Sequence, residues 1–183
     1  WPEWVHPPVN CKDVNGVYFF DRMLSWWSRY IGIDPEWKEP VRLDVKDGKI
    51  VKISGGYEAD AIQRFLTHME SKVGEGIWKF DTFHFGVHPN AKISEYECPN
   101  PLHKRIIEHA HTSNLHVHIG SAGANENYKY YTHITGDIRN ATLKVGDTLV
   151  YEDGWLCCLD DPEVRRVEAK YPNLPGIPER WQR

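Results

Sequence analysis

Residues 41–53 read VRLDVKDGKIVKI, two runs in which apolar and polar side chains alternate on either side of Asp47-Gly48. A period of two turns one face of each run toward a core and the other toward water. Asp-Gly is a dipeptide that accepts the left-handed backbone of a two-residue hairpin turn. The segment therefore predicts a β-hairpin and commits the chain to antiparallel pairing. Gly55-Gly56 breaks the pattern, and between 57 and 73 the period changes: Ala61, Ile62, Phe65, Leu66 and Met69 recur at helical spacing. That single apolar face predicts a helix packed on the sheet.

Further strands are predicted at 17–20, 78–87, 115–119, 128–134, 141–145 and 148–151. Gly146-Asp147 and Asp153-Gly154 read as turns, and short helices are expected near 102–109 and at 163–170. The predicted class is α+β, a largely antiparallel sheet with one long and one or two short helices packed on it. At 183 residues the chain is expected to form a single metal-binding, catalytic-type domain, 1–183. Pro162, Pro172, Pro175 and Pro178 mark 156–183 as a proline-rich surface tail.

Acidic and basic residues nearly cancel to a net charge of −4, so the basic footprint of a nucleic-acid binder is absent. No apolar run reaches the roughly eighteen residues that span a bilayer. A small molecule is the expected partner, and the eight tryptophans and nine tyrosines suit a pocket as well as a core. Cys11, Cys98, Cys157 and Cys158 offer no CxxC pair and no disulfide pattern, which fits a reducing cytoplasm. The sequence starts at Trp1 with no charged segment and apolar run behind it, which reads as a processed product or part of a longer polypeptide.

Ten histidines are present, and three lie in or at the end of short strand-like runs followed by glycine: His84 in FHFGV, His118 in HVHIGSAG and His133 in YTHITGDI. Imidazoles brought from separate strands can meet at one ion and leave coordination positions open. His116 shares a strand face with His118 and can approach the same ion. His68 falls on the predicted helix and is expected to be solvated.

The order EPVRLDVKDGKIVKISGGYEADAIQRFL, FHFGVHPNAKI, VHIGSAGAN and THITGDIRNATLKVGDTLVYEDG resembles the carboxy-terminal half of the aminopeptidase T superfamily, which includes 2,5-dihydroxypyridine 5,6-dioxygenase. The resemblance covers about residues 1–155. It implies that His84 stands where the dioxygenase has an iron ligand and the peptidases a glutamate. It implies too that His133 matches the histidine of a metal-binding His-x-Asp motif, and His118 a metal-binding histidine of the peptidase branch. Thr135 departs from that motif, standing in place of the aspartate, and Asp137 on the same strand face is the candidate replacement.

A two-ion peptidase site needs carboxylates to offset the charge of its metals, and His84 and Thr135 remove two of them. The expectation is therefore a mononuclear centre held by His84, His118 and His133. His116, Tyr128, Tyr131 and Asp137 are the candidate acid, base or orienting groups. The expected metal is Fe(II), with Zn or Mn as alternatives, and the expected activity is ring cleavage of a hydroxylated aromatic or heteroaromatic molecule by dioxygen. A metallohydrolase and a noncatalytic metal-binding subunit are the competing readings. The amino-terminal half of the family is unmatched, which leaves a natural short form that dimerises to complete the cleft, one subunit of a heteromer, or a fragment, with an oligomer the expectation.

Overall fold

The computed structural model describes residues 9–23, 28, 31–92, 96–100, 103, 109–120 and 134–180. The elements fixed most strongly by local sequence come out as expected. Strand β3 (Glu36–Lys46) turns through Asp47 and Gly48, at φ +49° and +68°, into β4 (Lys49–Ser54), with Lys46 paired to Lys49. Two successive positive φ values are the signature of a primed hairpin turn. Gly48 is needed for a second reason, because a Cβ there would stand 2.5 Å from the Lys12 carbonyl oxygen.

Helix α1 (Tyr57–Val73) buries Ala59, Ala61, Ile62, Leu66 and Val73 and packs on β3 and β4. Glu58 and Asp60 in its first turn and Lys72 in its last complement the helix dipole. Gly74, at φ +83°, closes it by donating to Glu70 O at 2.8 Å. Ile62 and Leu66 are fully buried, and each stabilises the fold by roughly 1.5–3 kcal/mol.

The remaining strands of this sheet are β1 (Val9–Asn10), β2 (Gly16–Met23), β5 (Phe80–Phe85), β6 (Asn114–Ile119) and β7 (Ile134–Arg139). Among the described residues the sheet runs β1-β5-β6-β7-β2-β3-β4, with antiparallel pairing at β1–β5, β2–β7, β2–β3 and β3–β4. The class is α+β, as expected. This order puts β5 and β7 on either side of β6, so the strand that carries His84 lies beside the one that carries His116 and His118. Residues 128–133 of the strand predicted at 128–134 lie outside the described residues, as does most of the helix predicted near 102–109.

The chain divides into two compact units, one of residues 8–84 and 116–138 and the other of 1–7, 85–115 and 139–183. The first holds most of the large sheet. The second contains the sheet β10-β9-β8, built from β8 (Leu143–Val145), β9 (Thr148–Glu152) and β10 (Trp155–Leu156). Asp153 and Gly154, both at positive φ, make the primed turn between β9 and β10. Tyr151, Trp155, Leu156 and Leu159 form a small core there, against which Phe85 and Ile177 pack. Ile177, late in the proline-rich segment, thus has an internal anchor. A short helix, α2 (Pro162–Glu168), starts with the Asp161 side chain accepting from Glu163 N at 2.7 Å.

No described helix is long and apolar enough to cross a membrane. None of the four cysteines forms a disulfide.

Candidate metal centre

Strand β5 reads FDTFHF, so a period of two places Thr82 and His84 on one face and Asp81, Phe83 and Phe85 on the other. Strand β6 reads NLHVHI and sends His116 and His118 to one face while Val117 and Ile119 are fully buried on the other. Because β5 and β6 are neighbours, the three rings meet. His84 and His116 stack at a centroid separation of 4.8 Å and an interplanar angle of 4°. His118 lies 4.4 Å from His84 and 5.2 Å from His116, tilted by 41° and 43°.

One nitrogen from each of His84, His116 and His118 lies within 4.8 Å of the others. Three nitrogens at about 2.1 Å from a common ion stand about 3.0–3.6 Å from one another, so these rings need to close by roughly 1–2 Å to share one. The donor set suits a borderline transition metal such as iron or zinc, since imidazole is a ligand for both. His84 and His116 are buried and His118 is partly exposed, which leaves an approach from one side. The residues present therefore fit a single bound cation.

Thr82 joins the cluster, and nothing in the motif reading singled it out. Its Oγ1 lies 3.1 Å from His84 Nε2 and 3.1 Å from His118 Nδ1. The signal available was its spacing, two residues before His84 on a strand.

His116, expected in a supporting role, is an equal member of the cluster. His133 lies outside the described residues, directly before β7, and Tyr128 and Tyr131 lie outside them too. Asp137 does not join the three imidazoles. It is fully buried, and its Oδ2 accepts from Arg22 Nε at 3.1 Å across the β2–β7 pair. Thr135 is buried as well. Gly136 between them is required by packing, because a Cβ there would stand 2.6 Å from the Phe20 ring.

His111 belongs to the second unit and is spent on structure. It is 5 % exposed, its Nε2–H donates to Pro89 O at 3.0 Å, and its Nδ1 accepts from Ser113 N at 3.0 Å with Ser113 Oγ 2.7 Å away. Burial, aided by the Lys92 charge, pushes its pKa down to about 4, against the opposing pull of the Pro89 carbonyl. His68 is exposed on α1, as expected.

No curated protein sequence matches the chain. Among solved structures it resembles the 2,5-dihydroxypyridine dioxygenase of Pseudomonas putida KT2440, with a TM-score of 0.57 and 16 % identity. That match covers 79 % of this chain and 40 % of the other, so the chain spans about two-fifths of the length of that protein. At this identity the likeness speaks for the fold. The sequence profile of the 2,5-dihydroxypyridine 5,6-dioxygenase family (NicX) matches residues 27–158, a stretch that takes in α1, the three clustered histidines and the strands that carry them, and the chain belongs to that family.

Proposed function

We propose that the chain carries the metal-holding part of a mononuclear non-haem iron(II) dioxygenase that opens the ring of a hydroxylated aromatic or heteroaromatic small molecule, 2,5-dihydroxypyridine being the first to try. The observation that carries this reading is the convergence of His84, His116 and His118 in a chain of that family. His84 and His118 are the ligands expected from sequence, and His116 supplies a third imidazole from the same face of β6. His133 keeps its proposed place as a further ligand, and Tyr128 and Tyr131 their proposed places as orienting or proton-transferring groups. Asp137, committed to Arg22, is assigned an orienting part and not a ligating one.

Bound iron(II) supplies a centre at which a ring hydroxyl and dioxygen can meet, the logic of oxygenase sites with open coordination positions. The protein's part is to hold three neutral rings at fixed angles. The absence of a carboxylate from the cluster among the described residues favours one ion over a bridged pair. The wider kinship with the aminopeptidase T superfamily rests on motif order alone.

The test is elemental analysis after anaerobic loading with iron, zinc and manganese, followed by oxygen uptake on 2,5-dihydroxypyridine. Stoichiometric iron and substrate-dependent uptake are expected. His118→Ala should lose the metal and His68→Ala should keep it, and equal metal in the two variants overturns the ligand assignment. Zinc retention with amide or ester hydrolysis and no oxygen uptake overturns the dioxygenase reading in favour of a hydrolase.

A further inference from the structure

A hydroxyl group shared between two histidines constrains which nitrogen each ring can offer to anything else. Thr82 Oγ1 stands 3.1 Å from His84 Nε2 and 3.1 Å from His118 Nδ1, with its strand fixed from the other side by the pairing of Thr82 with Asn10. We infer that Thr82 is a positioning residue that selects the coordinating atoms of the proposed centre, leaving His84 to face a cation through Nδ1 and His118 through Nε2. The inference rests on the metal-centre reading above and adds to it the orientation of two rings.

A neutral imidazole that gives one nitrogen to a cation carries its proton on the other. If both rings are so engaged, two N–H groups point at Oγ1, and a hydroxyl oxygen has two lone pairs to accept them. Its own proton stays free to turn elsewhere. Without a cation the hydroxyl can instead donate to one ring and accept from the other, so loading the site selects the tautomer pair in which both rings donate to Oγ1. Valine has the same shape and neither lone pair, and it would leave two partly buried N–H donors without their acceptor. Serine keeps the oxygen. Groups that orient metal-bound histidines through their second nitrogen are worth roughly 10–100-fold in metal affinity.

The experiment uses the whole chain, labelled with nitrogen-15 and titrated with zinc as a diamagnetic probe. Long-range proton–nitrogen correlation of the imidazoles reports which nitrogen of His84 and of His118 is metal-bound, and calorimetry gives the zinc affinity of wild type, Thr82→Val and Thr82→Ser. The expected result is metal on His84 Nδ1 and His118 Nε2, affinity lowered about 10–100-fold in Thr82→Val, and Thr82→Ser close to wild type. Zinc on His84 Nε2 or His118 Nδ1, or equal affinity in Thr82→Val, overturns this inference and leaves the metal centre standing. A wild-type chain that takes up no zinc overturns both. If Thr82→Val does not fold, the ring-nitrogen assignment in the wild type and the Thr82→Ser affinity decide.

Discussion

Acid should weaken this fold through His111 in a way that can be isolated. The side chain is 5 % exposed and its pKa is held at about 4, against about 6.5 in an unfolded chain, so the unfolded state binds the proton more tightly. Between those two values unfolding takes up a proton, and stability falls as pH falls. The contribution is fully present above the unfolded value and lost as pH drops through the folded one. Linkage puts the loss near zero at pH 7, roughly 2 kcal/mol at pH 5 and roughly 3 kcal/mol once pH is below 4. The structural cause is burial, which disfavours the charged ring and is aided by the Lys92 charge; the neutral ring is already held, with Nε2–H given to Pro89 O and Nδ1 accepting from Ser113 N. Urea unfolding at pH 7 and pH 5 of wild type and His111→Asn, which cannot titrate, separates this group from the other buried histidines. The stability advantage of wild type over the variant should shrink by roughly 2 kcal/mol at the lower pH. An advantage of the same size at both pH values refutes the reasoning.

Two further outcomes follow from packing and charge. Asp137→Asn leaves Arg22, 8 % exposed, without its paired carboxylate and should cost about 3–5 kcal/mol in chemical denaturation, whereas the exposed pair of Arg166 with Glu163 should be removable for less than about 1 kcal/mol. Gly136→Ala drives a methyl group against the Phe20 ring and should destabilise by about 1–3 kcal/mol, seen as a lower thermal midpoint; an unchanged midpoint would mean that β2 and β7 yield more easily than their pairing suggests.

The helix at 57–73 and the hairpin at 41–54 were legible because each is specified locally, by apolar spacing in one case and by a two-residue turn in the other. Strand β3 begins five residues earlier than the alternation suggests, and Pro40 explains the discrepancy. It sits where β3 is not paired with β4, in the irregular stretch of its pairing with β2, and a proline is tolerated there as it would not be in a regular ladder. Strand β1 is two residues long and exists only through pairing with Thr82 and Phe83, more than seventy positions away, so no local pattern could announce it.

The site was legible one strand at a time. Period two placed His116 with His118, but their meeting with His84 depends on β5 lying beside β6, a matter of sheet order that local sequence does not carry. Thr82 was missed for a different reason: threonine is common in strands, and its importance comes only from what lies across from it. Asp137 is a candidate by spacing, and its pairing with Arg22 depends on β2 lying beside β7, which local sequence does not carry.

The trio of rings on β5 and β6 has an electrical corollary. Imidazoles are uncharged donors, no carboxylate joins them among the described residues, and Asp137 on β7 is paired with its own guanidinium. A divalent guest held by those donors alone would keep its entire double charge instead of sharing it with a carboxylate, and the next species to arrive would be drawn in the more strongly the more negative it is. Such a pocket discriminates by ionisation: of two rings alike in outline, the one that surrenders its hydroxyl proton more readily is preferred.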